Sequence, residues 1–233
     1  MRQLTLSLVA MAMVMTGIQL QAFPNLNATT GLLAVPTAGV VPEGNFVGAA
    51  DVVLGHNTTF NGRMIYGLTD RLEIGGGVIA DDNTAVTLDA KLALPGTLAG
   101  FAPAIGIGYI NGQAMDSGTQ LYFVGTRAFT AKQQGAGSLL GTVGLNFTDL
   151  DSASAFRPFV GGQLGLGART ELDGEYVFAT GDFRHAIHSL FIRHSVSNRM
   201  SVQAGVTNAY GFTGSAHNNV FIGAAFSWGQ VTR

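Results

Sequence analysis

Cysteine is absent from the 233 residues. That excludes a disulfide framework, a thiolate metal site and a lipid anchor on cysteine. Charge is scarce: Asp, Glu, Lys and Arg make up 11% of the chain, against about 25% in a typical soluble domain. The formal net charge of −2 gives no basic footprint for nucleic acid. Long apolar runs are also lacking. Past the N-terminus no stretch approaches the ~20 apolar residues that a membrane helix needs, although 47% of the chain is hydrophobic. A chain this apolar without a spanning helix points to apolar residues distributed over alternating strands. The 33 glycines fit that reading, because glycine weakens helices and recurs at barrel bends and close strand contacts.

The first segment is an export leader by its layout. Arg2 is basic, Leu4–Ile18 is apolar, and Leu20-Gln21-Ala22 ends on a small residue before Phe23-Pro24. This is the three-part pattern of a secretory signal peptide, with cleavage expected after Ala22. Three divisions follow: a leader at 1–22, a proline-containing segment at 23–43, and a β-barrel over 44–233. The destination implied is a bacterial outer membrane.

From Gly44 the period is two. Phe46, Gly48, Ala50, Val52 and Leu54 share one face, and Val47, Ala49, Asp51 and Val53 the other. Phe60, Met64 and Tyr66 oppose Asn61, Arg63 and Ile65; Leu72, Ile74 and Val78 oppose Glu73, Gly75 and Gly77; Val86, Leu88 and Leu92 oppose Thr87, Asp89 and Lys91. In a bilayer the apolar face meets lipid and the other lines the lumen. Turn residues at 55–57, 69–70, 81–83, 111–112, 135–137 and 197–198 punctuate the pattern. Further strands are expected near 103–110, 119–128, 138–147, 157–168, 170–179, 186–195, 199–207 and 219–228. The fold class is therefore all-β: a transmembrane antiparallel up-and-down barrel of about twelve strands, within a range of about 10–14. A soluble β-sandwich is the minor alternative. Met64–Ile74 and Ile192–Val202 echo each other as hairpins with an Arg after the turn, expected on the periplasmic side. Tyr66, Tyr109, Phe147, Tyr176, Phe178, Tyr210 and Trp228 stand at strand ends, as interfacial girdles do.

Two stretches carry resemblances. Gly223, Phe226 and Trp228 resemble the closing signal that outer-membrane barrels present to their assembly machinery, although Phe221 stands where a polar residue is usual and five residues follow Trp228. Gly31-Leu32-Leu33-Ala34-Val35-Pro36-Thr37-Ala38, followed by Val41-Pro42-Glu43-Gly44-Asn45-Phe46, resembles the opening of the YjbH-like outer-membrane proteins. Tyr66–Gly75 is also similar to hairpins of that group. The resemblance covers these short motifs and implies a barrel module connected with exopolysaccharide, and no catalytic residue. Pro36 and Pro42 keep residues 23–43 from forming a clean strand. That apolar segment is expected either to tuck into the periplasmic mouth or lumen as a partial plug or to form a loose leader.

Glu171, Asp173 and Glu175 are spaced by two and share a strand face. With Arg63, Glu73, Asp89, Lys91 and Arg193 they are expected to line the lumen. Charges in a narrow lumen are costly unless paired, so one reading is an ion-pair network that braces the barrel; another is a selectivity lining whose acids favour cations. Acid–base glycoside cleavage by paired carboxylates is a third. His188 and His194 face outward with Leu190 and Ile192. A lipid hydrolase or deacylase would need a Ser on the same face, whereas Ser195 points the other way, so both histidines read as interfacial. No metal or cofactor site is evident. The expected function is a passive pore or envelope component linked to surface polysaccharide; the alternatives are a non-conducting structural barrel and, third, an outer-membrane lipid hydrolase. The expected partners are outer-membrane lipid, the assembly machinery, and polysaccharide or small solutes.

Overall fold

A computed structural model of the chain describes residues 25, 28–55, 58–81, 84–112, 116–131, 135–210 and 212–229. The leader expected at 1–22 lies outside the described residues, as do positions 23, 24, 26 and 27 of the next segment. The alternating stretches form twelve strands: β1 (Phe46–Leu54), β2 (Thr59–Gly67), β3 (Leu72–Ala80), β4 (Thr84–Ala93), β5 (Ala102–Gly112), β6 (Gly118–Ala128), β7 (Leu139–Leu150), β8 (Ala153–Gly165), β9 (Thr170–Val177), β10 (Ile187–Ser197), β11 (Met200–Tyr210) and β12 (Thr213–Trp228). Each pairs antiparallel with the next, and β12 returns to β1 from Phe46↔Trp228 to Leu54↔Val220. The fold is a closed, all-β, up-and-down barrel of twelve strands. Closure removes every sheet edge, which is what allows a strand array to cross hydrocarbon without unpaired backbone groups.

The period-two pattern sorts side chains as expected. Leu88, Leu121, Phe156, Leu190 and Ile222 on the outer face are each more than half exposed, whereas Asp51, Lys91, Arg157 and Asp173 on the inner face are essentially inaccessible. An apolar exterior of this extent is unstable in water and is matched by lipid.

Some strands run past their expected ends. β7 and β8 extend to a two-residue turn at Asp151-Ser152, with Asp149 pairing Ser154, and β12 begins at Thr213 rather than 219. Asn111 and Gly112, expected in a turn, end β5 opposite Val86 and Ala85. Pairing there continues beyond the apolar band, where polar outer residues meet water and the hydrophobic alternation that marks a strand disappears. The two echoed hairpins differ in detail. The first turns through Leu68–Arg71; the second turns through Asn198-Arg199, with an irregularity between Ser195 and Ser197.

β1 begins and β12 ends at one opening of the barrel, the terminal mouth. Both echoed turns lie at that mouth. The opposite opening is the far mouth, carrying among others the 178–186 connection between β9 and β10.

Candidate functional site

The lumen is occupied by the chain itself. Residues 28–41 pass into it from the terminal mouth and fold back on themselves. Leu32 N–H donates to the Val35 carbonyl (2.9 Å), Thr37 N–H donates to the Thr30 carbonyl (3.1 Å), and Gly31 bridges Pro36. The two prolines that bar a barrel strand are compatible with this compact turn, which then leaves the lumen at Val41-Pro42 and enters β1 through Glu43-Gly44, where Gly44 has φ 74°. Leu32, Leu33 and Val35 at the tip are at most 1% exposed.

Two carboxylates grip the backbone of the segment. Glu175 on β9 accepts the N–H of Leu33 (3.2 Å), of Ala34 with both oxygens (2.9 and 3.0 Å) and of Val35 (2.9 Å), together with the Ser189 hydroxyl (2.7 Å). Glu73 on β3 accepts the Thr29 hydroxyl (2.7 Å) and the N–H groups of Thr30 (2.8 Å) and Val41 (2.8 Å). Lys91 on β4 pairs with Glu73 at 2.9 Å and donates to the carbonyls of Thr30 and Thr37, each at 3.0 Å, and to the Thr30 hydroxyl. Thr126 on β6 accepts the Ala38 N–H at 2.9 Å. These contacts satisfy backbone groups that a non-strand segment would otherwise bury unpaired. Bonds to ionised acceptors are about twice as strong as neutral ones.

The tip has apolar partners. Leu32, Leu33, Ala34 and Val35 join Val124, Phe159, Phe191 and Phe221, all inward, in one buried cluster. Phe191 and Phe221 meet edge to face, with centroids 5.5 Å apart. Ordering a residue costs about 1–2 kcal/mol, and burying a Leu or Val returns about 1.5–3 kcal/mol, so apolar burial and charge-assisted bonds act together to hold the segment. Two glycines make room for it. A Cβ at Gly75 would stand 1.7 Å from the Ala28 carbonyl oxygen, and one at Gly161 would stand 2.4 Å from Leu32 Cδ1.

The remaining inward charges are distributed along the wall. Arg63 pairs with Asp51, which also accepts from Gln203 Nε2 at 2.8 Å. Arg193 meets Glu171 at 2.9 Å and Asp173 at 3.3 Å, with its guanidinium 5.4 Å from the Phe191 ring centroid. Asp89 accepts the Tyr122 hydroxyl (3.1 Å), which also reaches Thr29 at 3.3 Å. Its other oxygen, Oδ2, has no hydrogen-bond partner among the described residues. Thus Arg63, Glu73, Asp89, Lys91, Asp173, Glu175 and Arg193 are all buried on the inner face, and Glu171 is partly exposed. Glu73, Lys91 and Glu175 converge on the N-terminal segment; Glu171, Asp173 and Arg193 form a separate group.

A second closure at the far mouth escaped the sequence reading. Ile79, Ala85, Ile110, Leu150, Phe183 and Phe212 form a buried cluster there. Arg157 stands 4.3 Å from the Phe183 ring centroid and donates to the carbonyls of Phe212 (2.8 Å), Phe178 (3.3 Å) and His185 (3.3 Å). Its position on the inner face of β8 was the available signal.

Gly223, Phe226 and Trp228 lie on the closing strand. A Cβ at Gly223 would stand only 1.5 Å from Asp51 Oδ1. Phe226 and Trp228 are exposed on the outer face with rings 6.1 Å apart. His194 Nδ1 is 2.9 Å from Thr170 Oγ1, and His188 Nε2 is 2.7 Å from Asn218 Oδ1.

No family model and no curated protein matches the chain. Solved structures do. KdgM porin superposes with a TM-score of 0.64 at 9% identity, over 79% of this chain and 99% of that one. KdgM porin in complex with disordered oligogalacturonate gives 0.63 at 10% identity, over 79% and 99%. The outer membrane protein Omp33 of Acinetobacter baumannii gives 0.53 at 8% identity, over 79% and 97%. The chain is a small closed β-barrel of twelve strands whose fold resembles that of these porins. The likeness lies in the fold; at such identities lumen residues do not transfer.

Proposed function

We infer that this barrel is a porin-like outer-membrane protein held shut by its own N-terminal segment, a passive pore whose conduction requires residues 28–41 to leave the lumen. The observation that carries this reading is the seating of the Leu33, Ala34 and Val35 N–H groups on Glu175, with the tip packed among inward phenylalanines. With the segment in place, Leu32, Leu33 and Val35 and the inward Phe159, Phe191 and Phe221 are at most 1% exposed.

The terminal mouth is then the periplasmic one, and the segment enters from that side. The motif at residues 31–46 supports a place in an envelope-polysaccharide system, and Gly223, Phe226 and Trp228 act as the signal read during assembly.

The test is planar-bilayer conductance of the full chain beside a variant whose residues 28–41 are replaced by a Gly/Ser stretch of equal length. The full chain should be closed for most of the recording and the variant steadily open. Heat-modifiable gel migration checks that both are folded. A second reading, a non-conducting structural barrel, is favoured by the far-mouth cluster around Phe183 and Arg157. A variant that is folded yet electrically silent would establish that reading and remove the pore.

A further inference from the structure

The segment occupies the part of the lumen where negative charge is least compensated. Among the inward cations, Arg63 is engaged by Asp51, and Arg193 by Glu171 and Asp173. Arg157 is committed to three carbonyls at the far mouth. Lys91 serves Glu73. Two inward carboxylates remain. Glu175 has no ion-pair partner among the described residues; its acceptor capacity is filled by the Ser189 hydroxyl and by backbone N–H groups of the segment. Asp89, two residues along β4 from Lys91, carries a buried oxygen without a hydrogen-bond partner among the described residues.

The N–H groups of residues 33–35 therefore stand where a positively charged or hydrogen-bond-donating solute would stand. When the segment leaves, Glu175 loses all three N–H donors and Glu73 loses its contacts to Thr29, Thr30 and Val41. Asp89 loses the hydroxyl of Thr29 behind Tyr122. Among the described residues, Lys91 is then the one cation placed to answer Glu73 and Asp89, and Glu175 has none. Uncompensated carboxylates in a confined lumen concentrate cations and repel anions.

We propose that the opened lumen is cation-selective, with Glu175 and Asp89 setting the preference, and that its solutes are cationic or neutral rather than polyanionic. This rests on the reading of residues 28–41 as a removable plug.

The experiment measures reversal potential in a KCl gradient across a planar bilayer for the Gly/Ser-replaced variant. Gly75→Val, which displaces the segment by collision with Ala28, serves as an independent released form should the replacement not fold. The expected result is a cation-favouring potential that Glu175→Gln with Asp89→Asn lowers about threefold in permeability ratio, while Glu43→Gln at the exposed turn leaves it unchanged. Spermidine should block the current and citrate should not. Anion preference, block by citrate alone, or a potential indifferent to Glu175 and Asp89 would overturn the selectivity while leaving the plug intact. Absence of conductance in both released forms overturns the plug and the selectivity together.

Discussion

Glu175 holds the amide of Ala34 with both carboxylate oxygens, at 2.9 and 3.0 Å, from a strand 141 residues away in sequence. This contact joins the wall to the segment where both are out of reach of water. Glu175→Gln keeps the length of the side chain but replaces an acceptor oxygen by an NH2 group facing backbone N–H donors. Hydrogen bonds to a charged group contribute about 1.5–3 kcal/mol. A loss of about 2 kcal/mol corresponds to roughly 30-fold in the ratio of displaced to seated segment. Because the chain has no cysteine, a single Thr37→Cys reports exposure of the segment without background. Labelling by a membrane-impermeant thiol reagent should accelerate by about that factor in the Glu175→Gln background. An unchanged rate would show that Glu175 does not hold the segment.

Lys91 and Glu73 form a pair in which both side chains are at most 1% exposed. Removing one partner leaves the other charged and buried, at a cost of about 3–5 kcal/mol, whereas removing both is far milder. Lys91→Met should therefore lower resistance to urea unfolding in detergent micelles by about that amount, and Glu73→Gln combined with Lys91→Met should recover part of the loss, the carbonyls of Thr30 and Thr37 staying without their Lys91 donor. Additive losses in the double variant would mean that the pair is not energetically coupled.

Much of this arrangement was legible in the sequence, because barrel physics has a simple grammar. Period two assigned each of Arg63, Glu73, Asp89, Lys91, Asp173, Glu175 and Arg193 to the inner face, and the twelve strands followed from repeated alternation between turn residues. Phe159, Phe191 and Phe221 were harder to interpret. Apolar residues pointing inward break the lipid-out, polar-in rule, and they are accounted for once Leu32, Leu33 and Val35 are placed beside them. An apolar proline-containing leader and inward phenylalanines on β8, β10 and β12 are each ambiguous alone; together they indicate an internal ligand made of the chain itself. Which acid would meet which backbone group was not readable, because it depends on the depth of insertion. The partners of Arg157 are carbonyls of loops, which carry no side-chain signature in the sequence.

Arg157 makes a specific prediction at the far mouth. Its guanidinium joins the carbonyls of Phe178, His185 and Phe212 and stacks on Phe183, so one side chain ties the 178–186 connection to the wall. A cation–π contact of this kind contributes about 1–2 kcal/mol when shielded from water. Arg157→Ala should make that connection cleavable by an external protease at a rate about tenfold higher. Thiol labelling of Thr37→Cys at the other end should stay as it is. A coupled rise in labelling would mean that the two closures are one cooperative unit, and equal protease resistance would show that Arg157 is not the tie.

Gly75 separates the barrel from its contents most cleanly. It lies on the inner face of β3, paired with Ile65 and Asp89 on its two neighbours, and its φ is not among the positive ones. An alanine there is therefore compatible with the strand itself. Its Cβ would stand 3.2 Å from the Met64 carbonyl oxygen on β2, a tight contact that a small shift relieves, but only 1.7 Å from the Ala28 carbonyl oxygen. That oxygen belongs to the backbone of the segment, so no side-chain rotation relieves the overlap and the segment has to move. Gly76 next to it faces outward, where a Cβ would stand 3.4 Å from Leu88 Cδ2, an ordinary contact. Gly75→Ala should therefore leave heat-modifiable migration intact while raising Thr37→Cys labelling above that of the parent chain and bilayer conductance toward that of the Gly/Ser-replaced variant. Gly76→Ala should match the parent chain in all three measurements. If the two variants behave alike, Ala28 does not rest on β3 and the seating of the whole segment is wrong.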